Sequence, residues 1–363
     1  MGAYPNSDDD RRVPLDAVAP LATAIFAACG MPQARAAIVA ESLVQSDLRG
    51  AASHGLMRIP EYVGKLRGGG IDPRGEPRVA RDSGAALVVD GGNSMGQIAA
   101  RFGMERAIDR ARTTGVAVAA VRGSNHCGAL APYAAQAIDA GQVGIAISHT
   151  LPVMAPWGSI DKILGISPIA IGIPARDETA ILLDVAFSEA AVGKIKIYQH
   201  LGLTIPPEWA YDVDGIPTTD PAAAIAGLLH PIGGHKGSGL ALALGVITAL
   251  LSGGLYGTEL GNVIDGPVPG GDSQLLLALD IAAFTDPDEF RGRVDRIVRQ
   301  VRESRPAPGF AGAVTPGASA AAAIARNRRD GLALTAETVR SILAAADALG
   351  VDAADLRAAA PID

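Results

Sequence analysis

The spacing of apolar residues changes near residue 84, and that change limits the folds open to the chain. Before it, Leu15, Val18, Leu21 and Ile25, then Ile38, Leu43 and Val44, recur three or four residues apart. Such spacing gathers side chains on one helical face. Gly30-Met31-Pro32 separates two predicted helices within 15–49. A third helical piece carries Ile59, Tyr62, Val63 and Leu66 to a stop at Gly68-Gly69-Gly70, so the first segment reads as all-α. Beyond residue 84 come short, β-branched runs at 86–90, 115–122, 143–150, 169–175, 180–186 and 275–284. Helical stretches at 97–112, 131–140, 188–201 and 239–251 lie between them, which defines an α/β region. Further on, Phe290, Val294, Ile297, Val298 and Val301 share a helical face, and 306–309 reads as a linker. A last helix is predicted from Thr335, its N-cap, to a stop at Gly350.

With 363 residues and 48% hydrophobic composition, the chain has material for two domains with real cores. Its net charge of −7, without a basic cluster interleaved with aromatics, argues against a nucleic-acid partner. Cys29 and Cys127 form no CxxC, and the polar, acidic start is wrong for a secretory leader; both point to a reducing cytoplasm. The apolar stretch from Gly239 is interrupted at Gly245 and Gly253-Gly254, so it is predicted as a buried helix and no membrane partner is expected.

Several motifs offer chemistry. Gly92-Asn93-Ser94-Met95-Gly96 matches the G-x-S-x-G elbow of serine hydrolases, on a strand–turn–helix. Asp184 followed by His200, His230 or His235 would satisfy the order of a triad. A helical opening does not suit that fold, and glycine-rich chains meet the pattern by chance. The histidines show no metal-ligand spacing, so no metal is expected. Neither G-x-G-x-x-G nor a Walker A loop follows any predicted strand, so a nucleotide site would have to be built differently.

Three other stretches are more informative. In DLRGAASHGLMRIPEY, a helix opening at Ser53-His54 would align His54, Arg58 and Tyr62 at i, i+4 and i+8. An imidazole, a guanidinium and a phenol in a row can clamp a carboxylate and exchange a proton; a solvated helix face is the plainer reading. In VRGSNHCGALAPYA, His126 falls in a loop at the C-terminal end of a strand, where α/β domains tend to bind ligands. In PIGGHKGSGLALAL, glycines bracket Lys236 and Ser238 could cap the next helix, a combination suited to an anion. Asp184 ends an aliphatic strand, as a turn cap or a site residue.

These stretches, in this order, resemble the malate/L-lactate dehydrogenase-like family of NAD(P)-dependent oxidoreductases. The matching segments also include APWGSIDKILGISPIAIGIPA, LLDVAFSEAAVGKI and PPEWAYDVDGIPTTDP. The resemblance implies a non-Rossmann NAD(P)-binding sheet domain, 83–311, inserted into a mainly helical domain made of 1–82 plus 312–363. It implies a homodimer, NAD or NADP as cofactor, and a small carboxylate as substrate: a 2-hydroxy or 2-oxo acid, or alternatively a cyclic imino acid. By motif, the acid/base work falls to His126, or to Ser53 and His54 with Asp184. Arg58 and Tyr62 would orient the substrate carboxylate; Thr150, Asp184, Val185, Ala186 and Lys236 would line the cofactor. The chain departs from the family pattern at Phe187, commonly Thr, and at Ser273-Gln274, commonly Gly-His. Under this reading Ser94 lies in a backbone turn and is no nucleophile.

Overall fold

The computed structural model of the protein describes residues 10–261 and 266–362. In chain order its elements are β1 (Arg11–Val13), α1 (Leu15–Ala28), α2 (Gln33–Leu48), α3 (Ile59–Gly68), β2 (Arg78–Ser83), β3 (Ala86–Asp90), α4 (Gly96–Thr114) and β4 (Val116–Ser124). There follow α5 (Ala131–Asp139), β5 (Val143–Ser148), β6 (Ile169–Ile173), β7 (Ile181–Val185), α6 (Val192–His200), β8 (Ala210–Tyr211), α7 (Pro221–Ala226), β9 (Leu228–Leu229) and α8 (His235–Ser252). The chain closes with β10 (Asp272–Leu279), α9 (Pro287–Arg302), α10 (Ala318–Asp330), β11 (Leu332–Leu334), α11 (Ala336–Leu349) and α12 (Ala354–Ala359).

A seven-stranded sheet runs in the order β2-β3-β4-β10-β5-β6-β7. Its β3–β4 pair is parallel and its other pairs are antiparallel. It is a mixed sheet, unlike the parallel, doubly wound sheet of the Rossmann fold. The two-residue alternation of β4 sorts its side chains between layers. Ala117, Ala119 and Val121 join a core with α4 and α5, whereas Val118 and Ala120 face the opposite side with Leu244 of α8. Ala and Gly at these contacts let the helices lie close to the sheet, which suits the low aromatic content.

A separate core unites the two ends of the chain. Val18, Leu21, Ile25 and Phe26 of α1 and Val39 and Leu43 of α2 pack with Leu332, Leu334, Val339, Ile342 and Leu356 from the C-terminal elements. Met95 and Ile98, at the start of α4, join that core and tie it to the sheet. Burial of each large aliphatic side chain contributes roughly 1.5–3 kcal/mol, so the ends hold each other by apolar contact.

Several local expectations need correction. The first segment is not all-α: β1 pairs with β11, and β2 forms an exposed edge strand. Short strands of mixed polarity carry little periodic signal, and here pairing with distant segments makes them. The final predicted strand begins at Asp272 and ends at Leu279, because the Asp280 side chain caps a 3-10 turn by accepting from Ala282 N. The helix predicted over 188–201 starts only at Val192, after an extended Ala191. Helix α10 has no counterpart in the expectations; its alanine-rich sequence has too weak an amphipathic pattern. Helix α8 starts at His235 and is not a buried core helix. It is long and apolar enough to cross a membrane by length and composition alone, yet one face packs on the sheet. Leu240, Ile247, Leu250 and Leu251 are exposed on it. The Thr335 cap and the left-handed Gly350 stop of α11 are as expected.

Candidate functional site

The loop between β4 and α5 presents His126, and its position is set by close backbone packing. Gly96 opens α4 flush against this loop: a Cβ there would lie 2.0 Å from the Asn125 carbonyl oxygen. Asn125 pins the same loop, its Nδ2 donating to Ser94 O at 2.9 Å and its Oδ1 accepting from Gly270 N at 2.9 Å. The GNSMG turn therefore serves the site as scaffold. Ser94 is 1% exposed and its hydroxyl donates to Met95 O at 3.4 Å, a geometry with no place for a nucleophile and its base.

His54, Arg58 and Tyr62 do converge near His126, but not by lying on one helix. Residues 52–54 and 56–58 are separate 3-10 turns broken at an extended Gly55, and only Tyr62 belongs to α3. The reason lies in Asp47, whose buried carboxylate accepts from Leu56 N at 2.7 Å and occupies the space that a Cβ on residue 55 would need. The His54 ring stacks on His126 with centroids 5.8 Å apart. Ser53 Oγ is hydrogen-bonded to His54 Nδ1 at 2.8 Å. Tyr62, with no exposed surface, is hydrogen-bonded to His126 Nδ1 at 2.6 Å and accepts from Gln97 Nε2 at 3.1 Å. Its hydroxyl thus stands behind the imidazole and is engaged there, rather than open to a substrate. Arg58 donates from Nε to Ser53 O and pairs through Nη1 with Glu61, which Lys196 also holds. Gly193, in the first turn of α6, allows Arg58 Nη2 and Ser53 to approach that helix.

Both histidines are held far below their ordinary range, to about 3. Burial is the main cause, followed by the Arg58 charge and, for His54, by His126 as well. They are neutral near pH 7, and a negative group placed beside Arg58 would restore their basicity. Burial also pushes the neighbouring Cys127 thiol up to about 12, so it stays protonated and inert.

Asp184, at the end of β7, reaches the same loop from the sheet. Its Oδ2 accepts from Leu130 N at 3.0 Å and Ala131 N at 2.8 Å, capping α5 from another strand. Burial raises its pKa to about 6 against the pull of those two amides and of Arg49. A second group of expected residues gathers along β5–β7. Thr150 Oγ1 accepts from Ile166 N, Phe187 N donates to Ile166 O, and Ile232 N donates to Phe187 O. That ladder joins Thr150, the Val185-Ala186 strand end and the Pro231–Gly234 turn that leads into α8. Lys236 is exposed in the first turn of α8. The expected Ser238 cap is absent, because Ser238 lies inside the helix and accepts from Trp157 N. No side chain caps α8, and nothing lies within 4 Å of where a Gly233 Cβ would be. An uncapped helix end, an open glycine and a free-standing lysine fit the diphosphate of a dinucleotide. Among the described residues no cluster suited to a metal ion occurs. The departures are structural here: Phe187 packs into an apolar cluster with Met154, and Ser273 and Gln274 are buried in β10. Gln97 is the site residue that sequence reasoning missed, since no local pattern marks it; its bond to Tyr62 appears only in the fold.

The site thus lies where a mixed sheet meets a helical core, with two half-buried imidazoles beside an arginine. Residues 13–343 match the malate/L-lactate dehydrogenase family. The L-sulfolactate dehydrogenase of Methanothermobacter thermautotrophicus is 34% identical over 328 residues, covering 90% of this chain and 94% of that protein. The ureidoglycolate dehydrogenase (NAD(+)) of Escherichia coli is 33% identical, covering 79% of this chain and 82% of its own. Among solved structures, the delta1-piperideine-2-carboxylate reductase of Pseudomonas syringae pvar. tomato superposes with a TM-score of 0.81. It is 30% identical and covers 92% of this chain and 99% of that one. The chain belongs to the malate/L-lactate dehydrogenase family. It is an NAD(P)-dependent oxidoreductase of the hydroxy-acid dehydrogenase type.

Proposed function

We propose that the protein interconverts a small 2-hydroxy acid of the malate or lactate type and its 2-oxo acid, with His126 as the acid/base. The observation that carries this reading is the His126 ring, anchored at Nδ1 by Tyr62 and stacked on His54 beside Arg58. The nicotinamide supplies the hydride acceptor or donor when bound. Arg58, through the Nη2 that Ser53 and Glu61 leave available, orients the substrate carboxylate. His126 Nε2 exchanges a proton with the C2 oxygen, and His54, fixed by Ser53, is the second imidazole facing that oxygen. Partial neutralisation of Arg58 by the substrate raises the basicity of both rings, so proton transfer is favoured only with substrate in place. Asp184 keeps the loop in register through Leu130 and Ala131. Thr150, Asp184, Val185 and Ala186 would line the cofactor, and Lys236 with the α8 N-terminus would take its phosphates.

The exposed apolar row on α8 supports a homodimer, and the two unpaired cysteines support a reducing cytoplasm. A division into a helical domain of 1–82 plus 312–363 and a sheet domain of 83–311 is supported by the separate cores, with β2 already in the sheet and Met95 and Ile98 shared with the helical core. The test is a panel of 2-oxo acids and Δ1-cyclic imino acids with NADH and NADPH, read by loss of reduced-cofactor absorbance. Turnover of oxo acids in wild type is expected to fall about 10²–10⁴-fold in His126→Gln, with reduced-cofactor fluorescence on binding retained. Unchanged kcat in the variant would sink the assignment, and turnover confined to imino acids would move the substrate class.

A further inference from the structure

Behind His126 and the Tyr62 hydroxyl that anchors it lies a buried carboxamide, Gln97, that the reaction as described does not use. Gln97 Nε2 donates to the Tyr62 hydroxyl at 3.1 Å, and that hydroxyl lies 2.6 Å from His126 Nδ1. Gln97 is 1% exposed and Tyr62 is not exposed at all. With the Tyr62 oxygen accepting from Gln97, Nδ1 is the acceptor left for its proton, which favours the neutral imidazole with its hydrogen on Nε2. That tautomer can hold a carbonyl oxygen, but it cannot take a proton from a hydroxyl at Nε2. The other end of the chain is unfinished: Gln97 Oε1 is buried and has no hydrogen-bond partner. A carboxamide turned half-way about its last bond would bring Oε1 to Tyr62. The Tyr62 O–H would then donate to Gln97, its oxygen would accept from Nδ1–H, and Nε2 would be left bare.

We propose that Gln97 is a positioning residue that sets the tautomer of His126 through Tyr62, one carboxamide orientation favouring each protonation pattern of Nε2. In the oxidative direction the substrate hydroxyl proton moves to bare Nε2 as the hydride leaves C2, giving an imidazolium whose Nδ1–H stays bonded to Tyr62. In reduction the same Nε2 proton passes to the C2 oxygen as the hydride arrives, and the ring returns to its Nδ1–H form. The orientation with Gln97 Nε2 on Tyr62 withdraws the ring into the resting Nε2–H form. The groups facing His126 are Arg58 with its partner Glu61, the stacked His54 and Tyr62; the adjacent Cys127 thiol points to Ser148. Besides His126 itself, Gln97 is the side chain hydrogen-bonded to the Tyr62 hydroxyl among the described residues, and its carboxamide offers that hydroxyl either a donor or an acceptor.

This inference rests on His126 as the acid/base, and its test reads the imidazole itself. Nitrogen-15 NMR of the histidine side chains, with His126 assigned from His126→Gln, reports tautomer and pKa without turnover. Gln97→Glu, as a carboxylate offering acceptors only, is expected to move His126 to the Nδ1–H tautomer. It should raise the His126 pKa and shift the pH profile of kcat in the same direction. Gln97→Met should lower kcat about tenfold with KM for cofactor unchanged. In a Tyr62→Phe background, Gln97→Glu should leave the tautomer where Tyr62→Phe alone sets it, because the chain is already cut, although its charge still acts through space on the pKa. An unchanged tautomer in Gln97→Glu, or an equal tautomer change in the Tyr62→Phe background, overturns the proposal. If the tautomer moves as expected while no oxo or imino acid is turned over, the functional reading fails and this one stands.

Discussion

Replacing Asp184 separates two roles of one carboxylate, because a capping role and an ionisation cost respond differently to pH. Asp184 Oδ2 is the acceptor for the amides of Leu130 and Ala131. Asp184→Ala leaves both donors without it at a buried helix start. Loss of an N-terminal cap costs about 0.5–2 kcal/mol, and buried donors left unpaired cost about 1–3 kcal/mol. Both ranges describe the same two amides and do not add, so a loss of about 1–3 kcal/mol is expected at pH 4.5, where the carboxyl is mostly uncharged. Asp184→Asn keeps one oxygen acceptor and carries no charge, so the capping loss should be small. Its pH dependence then follows from the sign of the shift. Burial raises the Asp184 pKa from 3.8 to about 6, so the fold favours the protonated form. The associated stability is fully present below pH 3.8 and is lost as pH rises through about 6. A difference of about two in pKa corresponds to about 3 kcal/mol, an upper bound for this step. Asp184→Asn should therefore gain on wild type between pH 4.5 and pH 8; Asp184→Ala, equally uncharged, should gain by a similar increment while staying less stable than Asp184→Asn at both. Urea unfolding at the two pH values, at constant salt, measures this directly. Equal stability of the Ala and Asn variants, or an Asn advantage that does not grow with pH, would refute the capping argument.

Three further outcomes follow from the same geometry. Gly193→Ala would place a Cβ 2.7 Å from Ser53 Cβ and 3.2 Å from Arg58 Nη2. Overpacking of about 1–3 kcal/mol is offset by about 1 kcal/mol of helix propensity. Folding should therefore survive while kcat/KM for the acid substrate falls at least tenfold, roughly the cost of a misplaced clamp; an unchanged kcat/KM counts against the Arg58 assignment. The exposed Leu250 and Leu251 of α8 predict a dimer in wild type, and a monomer in the Leu250→Glu, Leu251→Glu variant, by light scattering; a monomeric wild type would remove the dimer reading. Lys236→Ala should weaken binding of the reduced cofactor severalfold by fluorescence titration, with less effect at high salt, where the lysine charge is screened; unaltered affinity at low salt places the phosphates elsewhere.

Much of this protein could be read from the order of its residues. Helices α1 and α2, the strands at 86–90 and 169–173, and the cap and stop of α11 follow from local periodicity and turn chemistry, which act over a few residues. The ordered motifs also identified the family before any contact was known. Their meeting around one imidazole is different in kind. The face proposed for His54, Arg58 and Tyr62 presupposed a continuous helix, and the Asp47 carboxylate beneath Gly55 breaks it into two 3-10 turns. The three side chains converge all the same, because α3 and the start of α4 belong to one packed core. Gln97 carried no signal of its own; only the approach of α4 to the His126 loop, allowed at Gly96, brings its carboxamide to Tyr62. Local propensity and motif order are properties of neighbouring residues and were legible in the chain. Tautomer, pKa and the partner of each buried polar atom depend on groups far apart in sequence, and only the tertiary packing decided them.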